Sequence, residues 1–189
     1  PSNNCEQENN CLYLHESANL ISFSTLPLNG LDDIPECIEG ILSEGEAAIY
    51  VNGSWFGTLT ELLCEDGYWL KNYNCDDIEW CYNNGMGCSD DIIYSLDVGN
   101  NLISYPIEQP NGVSEAIPDQ YEGFITYILS ESTAAINHPT LGWIGTLTVF
   151  ERNKGYWFRS TADIEFAFDE PESLTRQRVL DPSPYPYNQ

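Results

Sequence analysis

The chain has 189 residues, 42% hydrophobic and 13% aromatic, with 30 acidic against 6 basic side chains and a net charge of −24. That apolar content supports packed cores and excludes a disordered acidic tail. The charge excludes nucleic acid and anionic membrane surfaces as partners, since phosphate binding needs clustered Lys and Arg, and no run approaches the ~20 apolar residues of a membrane-spanning helix.

Residues 1–11, with Cys5 and Cys11, read as an N-terminal arm. Leu12-Tyr-Leu14 and Leu20-Ile-Ser-Phe23 are short apolar runs either side of the polar turn His15–Asn19, and read as strands. Asp32-Asp33-Ile34-Pro35 has the form of a helix start, an acidic cap with Pro in the first turn. Ile34, Ile38, Ile41 and Leu42 follow at helical spacing, so a short helix is expected there. Asn52-Gly53 between Ala48–Val51 and Trp55–Leu59 predicts a tight hairpin. Tyr68–Lys71 and Ile78–Trp80 complete a module over 12–82, and the turn-rich segment 83–93 reads as a linker.

The chain then repeats itself. Asn19-Leu-Ile-Ser-Phe23 returns as Asn101-Leu-Ile-Ser-Tyr105, and Trp55-Phe-Gly-Thr-Leu-Thr60 as Trp143-Ile-Gly-Thr-Leu-Thr148. Gly67-Tyr-Trp-Leu-Lys71 returns as Gly155-Tyr-Trp-Phe-Arg159, and Asp77-Ile-Glu79 as Asp163-Ile-Glu165. The second module spans 94–169, with its own helix expected from Ile117-Pro118 through Tyr121, Phe124, Ile125 and Ile128. A tandem repeat of this quality sets the architecture. The expected fold class is α+β and β-rich: two homologous small modules, each a mainly antiparallel sheet of about five strands with one short helix. Past Asp169 the pattern stops, and 170–189 form a Pro- and Tyr-rich arm of extended character.

The seven cysteines, Cys5, Cys11, Cys37, Cys64, Cys75, Cys81 and Cys88, all lie in the first half. Disulfides are the leading reading. Zinc is the alternative, but no Cys-x-x-Cys knuckle is present and His15 and His138 are not grouped with the cysteines. Connectivity is open, and the odd number leaves at least one thiol free or paired with another chain. The second copy has none, so the fold does not require the bridges, which are expected to serve the first module's additions. An oxidising, extracellular or cell-surface location follows. The start at Pro1 reads as processing, or as the ordered part of a longer protein.

No nucleophile elbow, zinc-protease helix, phosphate loop or EF-hand is present, and enzymatic activity is not expected. No cofactor is required; calcium is the one candidate, with hard oxygen ligands at Asp32, Asp33, Asp76, Asp77, Asp90 and Asp91. His15 and His138 both sit in predicted turns and are expected to be solvated. Asn52-Gly-Ser54 is a glycosylation sequon at a hairpin tip. The recurring tryptophans, Trp55/Trp143 and Trp69/Trp157, read first as packing and second as a sugar-stacking platform. In the C-terminal arm Arg176 and Arg178 are two of the six bases, followed by Val179, Leu180, Tyr185 and Tyr187. An aromatic, proline-rich arm carrying these two arginines on an acidic body has an electrostatic reason to dock on its own molecule or the next.

Asn-Leu-Ile-Ser-(Phe/Tyr), Trp-x-Gly-Thr-Leu-Thr and Gly-Tyr-Trp-(Leu/Phe)-(Lys/Arg) together resemble a tandem repeat module of secreted, multidomain bacterial surface proteins. The likeness covers both modules and not the tails, and it carries no catalytic residues. In organisation the chain is also similar to two-domain subunits of extracellular protein fibrils. The expectation is a secreted structural subunit whose partners are copies of itself, assembling head-to-tail through its arms. The alternative is an adhesion or carbohydrate-binding module that meets glycans or other surface proteins through exposed tryptophans.

Overall fold

The structure, a computed structural model, describes residues 10–73 and 75–171. Cys5 and the arm residues Arg176, Arg178, Val179, Leu180, Tyr185 and Tyr187 lie outside them. Among the described residues no helix is long and apolar enough to cross a membrane.

The first module contains β1 (Asn10–Leu14), β2 (Ser17–Ile21), β3 (Thr25–Pro27), a 3₁₀ turn (Gly30–Asp33), β4 (Ile38–Leu42), β5 (Ala47–Val51), β6 (Ser54–Gly57), β7 (Tyr68–Asn72), β8 (Ile78–Tyr82) and β9 (Asn84–Gly87). The second contains β10 (Tyr94–Leu96), β11 (Gly99–Ser104), β12 (Asn111–Gly112), α1 (Val113–Ala116), α2 (Asp119–Glu122), β13 (Ile125–Leu129), β14 (Ala134–His138), β15 (Gly142–Gly145), β16 (Val149–Phe150), β17 (Gly155–Ser160) and β18 (Ile164–Phe166). Each module is built on a five-stranded antiparallel sheet, in the orders β2-β7-β4-β5-β6 and β11-β17-β13-β14-β15. The pairs β1–β8 and β10–β18 add matching ribbons. The fold is the expected β-rich pair of modules with a few short helical turns.

The expected helices are misplaced. Ile38, Ile41 and Leu42 lie on strand β4, and Ile125 and Ile128 on strand β13, with Phe124 just before it. The cause is a β-bulge at the same point in both copies: register slips between Ile38 and Gly40 and between Ile125 and Tyr127 against the neighbouring strand. The extra residue returns Ile38 and Ile41, three positions apart, to the same buried face, and does the same for Ile125 and Ile128. A bulged strand thus imitates helical spacing. The actual turns lie earlier, at Gly30–Asp33 and in α1 and α2, where Tyr121 sits. Part of the expected linker, β9, instead pairs with β3.

Each sheet covers its own core. The first gathers Leu14, Phe23, Ile38, Ile41, Tyr68, Leu70, Trp80 and neighbours. The second gathers Tyr94, Tyr105, Ile128, Phe150, Tyr156, Phe158, Phe166, Phe168 and neighbours. Asn52 and Gly53 both take positive φ, 51° and 84°, as the two-residue β5–β6 turn demands.

The modules meet across a seam whose contacts come in twins. Ile21 bridges Lys154, and Ile103 bridges Asp66. The Ser22 amide donates to the Asn153 carbonyl at 3.2 Å, and the Ser104 amide to the Glu65 carbonyl at 2.9 Å. The Leu20 amide donates to Glu131 Oε2 and the Leu102 amide to Glu44 Oε2, both at 2.9 Å. Every member of one contact is the repeat partner of a member of its twin, so the modules are related by an approximate two-fold axis, the geometry of an isologous dimer within one chain. The repeated motif Asn-Leu-Ile-Ser is written by this seam. Buried Asn19 and Asn101 fold the preceding turn, receiving the His15 and Asp97 amides at 2.9 and 2.8 Å. Leu and Ser supply the crossing amides, and Ile supplies core and bridge.

Candidate interaction groove

The Trp-x-Gly-Thr-Leu-Thr motif forms the last strand of each sheet and the turn leaving it. The Ala47 and Ala134 amides donate to Thr58 and Thr146 Oγ1, both at 3.2 Å. A Cβ on Gly57 or Gly145 would run into the Ala47 or Ala134 carbonyl, so both positions need glycine. β6 and β15 end their sheets with one backbone edge unpaired among the described residues. Their outward faces carry cross-strand apolar pairs in both copies: Ile49 with Phe56, 55% and 58% exposed, and Ile136 with Ile144, 56% and 41% exposed.

On the other side of β6 lies a cavity of about 550 Å³. Leu26, Leu31, Trp55, Leu59 and Leu62 line it, with the exposed carboxylates of Asp32 and Glu61. Trp55 is half-buried and packs on Tyr50 at 5.2 Å. Its counterpart Trp143 is also half-buried, and its indole N–H donates to Glu122 Oε1 at 2.7 Å. The space beside Trp143 is about 140 Å³. The tryptophans therefore pack, as first expected, with Trp55 alone of this pair bordering a large groove.

Six cysteines form three disulfides, Cys11–Cys81, Cys37–Cys75 and Cys64–Cys88. The first joins β1 to β8, a ribbon the second module repeats without a bridge, against expectation; the third ties the loop after β6 to the segment following β9, an addition of the first module, as expected. The second lies inside the module, between the approach to β4 and the β7–β8 connection. This framework belongs to an oxidising compartment.

The candidate calcium ligands are spread out. Asp32 and Asp33 lie in the 3₁₀ turn, where Asp33 accepts from the Asn29 amide and side chain at 2.8 and 2.9 Å. Asp77 accepts from the Tyr13 hydroxyl and the Glu16 amide, both at 2.9 Å, and these bonds hold its carboxyl below the usual range. Asp76 precedes it, and Asp90 and Asp91 occupy the segment between the modules. Among the described residues the one close trio of such ligand types is Cys11, Glu79 and Cys81. Its sulfurs are joined in a disulfide and are not thiolate ligands. Asn52 is exposed at its hairpin tip, accessible to a glycan.

His15 departs from expectation. Its Nε2 lies 2.5 Å from Glu131 Oε1 of the other module, at the seam, with its side chain 42% exposed. Nothing local in the sequence signals this contact, because the partner is 116 residues away. His138 keeps to its hairpin, where its Nδ1 accepts from the Thr140 amide at 3.3 Å. The groove was also missed: its apolar wall is assembled from two separate stretches of chain, 26–32 and 53–62. Comparison with protein-family models, curated proteins and solved structures returns no match for this chain.

Proposed function

We propose that the protein is a non-enzymatic extracellular structural subunit that self-assembles head-to-tail through its terminal arms. The observation that carries this reading is the pair of open sheet edges, β6 and β15, each beside an exposed apolar cross-strand pair retained in both repeats. An unpaired edge is a template for another extended chain, and apolar residues kept exposed at the same sites in both copies point to contact with a partner. A chain of net charge −24 favours a segment bearing arginines as that partner, and the 170–189 arm holds Arg176 and Arg178 within the acid-free stretch 173–180. Repeated head-to-tail docking yields a filament unless the rotation closes a ring. The disulfide framework suits a secreted location.

The test is sedimentation and negative-stain microscopy of the full chain beside one lacking 171–189. The full chain should form filaments or rings that weaken at high salt, and the truncated chain should stay monomeric. Unchanged assembly after truncation would refute the arm mechanism. The half-buried Trp55 in an open groove favours the second reading, a carbohydrate-binding adhesion module. Binding on a glycan array, lost on Trp55→Ala, would replace the first reading with that one.

A further inference from the structure

The two modules form the same groove and fill it differently. Trp55, Gly57, Leu59 and Thr60 in one correspond to Trp143, Gly145, Leu147 and Thr148 in the other, and all eight border their module's cavity. In the second module α1 occupies that space, with Val113 on its border and both Val113 and Ala116 buried in the core. In the first, Gly30 and Asp33 stand at the corresponding positions, and the 3₁₀ turn contributes no buried residue. What remains is about 550 Å³ beside Trp55 against about 140 Å³ beside Trp143. The first module thus carries an open slot along a free strand edge, with an apolar wall of leucines and Trp55 and a polar border, where its twin supplies its own filling.

We infer that this slot is the acceptor for the segment 172–189 of a second copy, with Arg176 and Arg178 on the acidic border and Val179-Leu180 against Trp55 and Leu59. The inference rests on the head-to-tail reading above and names its acceptor. Charge selects the segment. Asp32 and Glu61 border the slot, with Glu36 exposed close by in sequence. Of the two chain segments outside the described residues at the termini, 1–9 carries Glu6 and Glu8 and no base, whereas in 172–189 Glu172 and Asp181 stand at the ends of a stretch, 173–180, that holds both arginines and no acid. Length permits it: these eighteen residues, fully extended, reach up to about 60 Å. Chemistry fits it as well. An extended segment can add to the unpaired edge of β6 through its backbone while alternate side chains enter the slot. Pro182, Pro184 and Pro186 lack amide donors, which places the pairing stretch before Asp181.

The test uses full-length chains and charge reversal at exposed sites. One variant carries Asp32→Lys and Glu61→Lys, a second Arg176→Glu and Arg178→Glu, and a third all four. Assembly is read by sedimentation and microscopy at fixed concentration, and thermal melting confirms that the variants are folded. Each reversal alone should lower the assembled fraction at least tenfold, and the four together should restore it. If the arm reversal abolishes assembly while the slot reversal leaves it intact, the acceptor lies elsewhere: this inference falls and head-to-tail assembly stands. If neither reversal changes assembly, the arm reading falls with it. Loss in both single variants without recovery in the fourfold variant also overturns the pairing of these two sites.

Discussion

The two modules share a sheet, a bulge and a seam, yet they are held together by different means. The first has three disulfides and carries seventeen acids against one base through residue 93. The second has no disulfide and packs Phe150, Phe158, Phe166 and Phe168 with Tyr105 in a ring cluster, Phe150–Phe158 at 5.8 Å and Phe166–Phe168 at 5.1 Å. Where Cys11 faces Cys81 in the first module, Ile93 and Ala167 stand in the second. One copy stabilises the shared sheet by restricting its unfolded chain, the other by burying more aromatic surface. The covalent route leaves the first module free to keep an unfilled groove, which the second closes with α1.

The largest expected effect separates these two means. Each disulfide is worth about 2–4 kcal/mol, so reduction should release the first module and spare the second. Hydrogen exchange of the twin hairpins 47–57 and 134–145 reads this directly. Under reductant the first hairpin should lose protection well before the second. Simultaneous opening would show that the seam, and not the staples, sets the stability of both.

The sequence exposed the repeat, the hairpin at Asn52-Gly53 and the two-module plan because those rest on local chemistry. The helix expectation failed because a bulge and a helix both bring residues three apart to one face, as Ile38 and Ile41 show. The seam was hidden for a different reason. Ser22 and Ser104 look like ordinary strand residues, and their partners lie 131 and 39 positions away along the chain. Their recurrence in both copies marked them, but could not say whether core or contact was being kept. The groove was least legible, since it appears only when Gly30 and Asp33 are compared with Val113 and Ala116 in space.

A smaller effect tests the approximate two-fold. Gly67 and Gly155 are repeat partners that let the modules approach. A Cβ on Gly155 would lie 2.7 Å from the Ile21 carbonyl oxygen and 2.9 Å from Leu20 Cδ1. On Gly67 it would meet Leu102 Cδ1 at 2.7 Å and the Ile103 carbonyl oxygen at 3.0 Å. A leucine terminus can rotate away, whereas a backbone carbonyl held by the seam cannot. Gly155→Ala should therefore destabilise by about 1–3 kcal/mol, and Gly67→Ala by less, in chemical denaturation. Equal losses would mean that the two halves of the seam are mechanically equivalent.

The smallest effect concerns the one place where the twins differ in charge. Glu131 meets His15, but its partner Glu44 has Asp97 at the position equivalent to His15. The hydrogen bond to Glu131, followed by the one to the Glu16 carbonyl, raises His15 above its usual range. Its contribution is fully present below the unfolded value of ~6.5 and is lost as pH rises through the folded one. On the opposite half of the seam, burial and then Glu65 push Asp66 up to about 6. A raised carboxyl favours folding in its protonated form, so that contribution falls as pH rises from ~4 through about 6. Both groups make the seam firmest in mild acid. Variants isolate the two against the background of thirty acids. Asp66→Asn should flatten the stability profile between pH 4 and 6, and Glu131→Gln the part above ~6.5. Glu44→Gln should leave the upper part unchanged, because no histidine stands opposite it; a matching loss there would show that His15 does not act through Glu131.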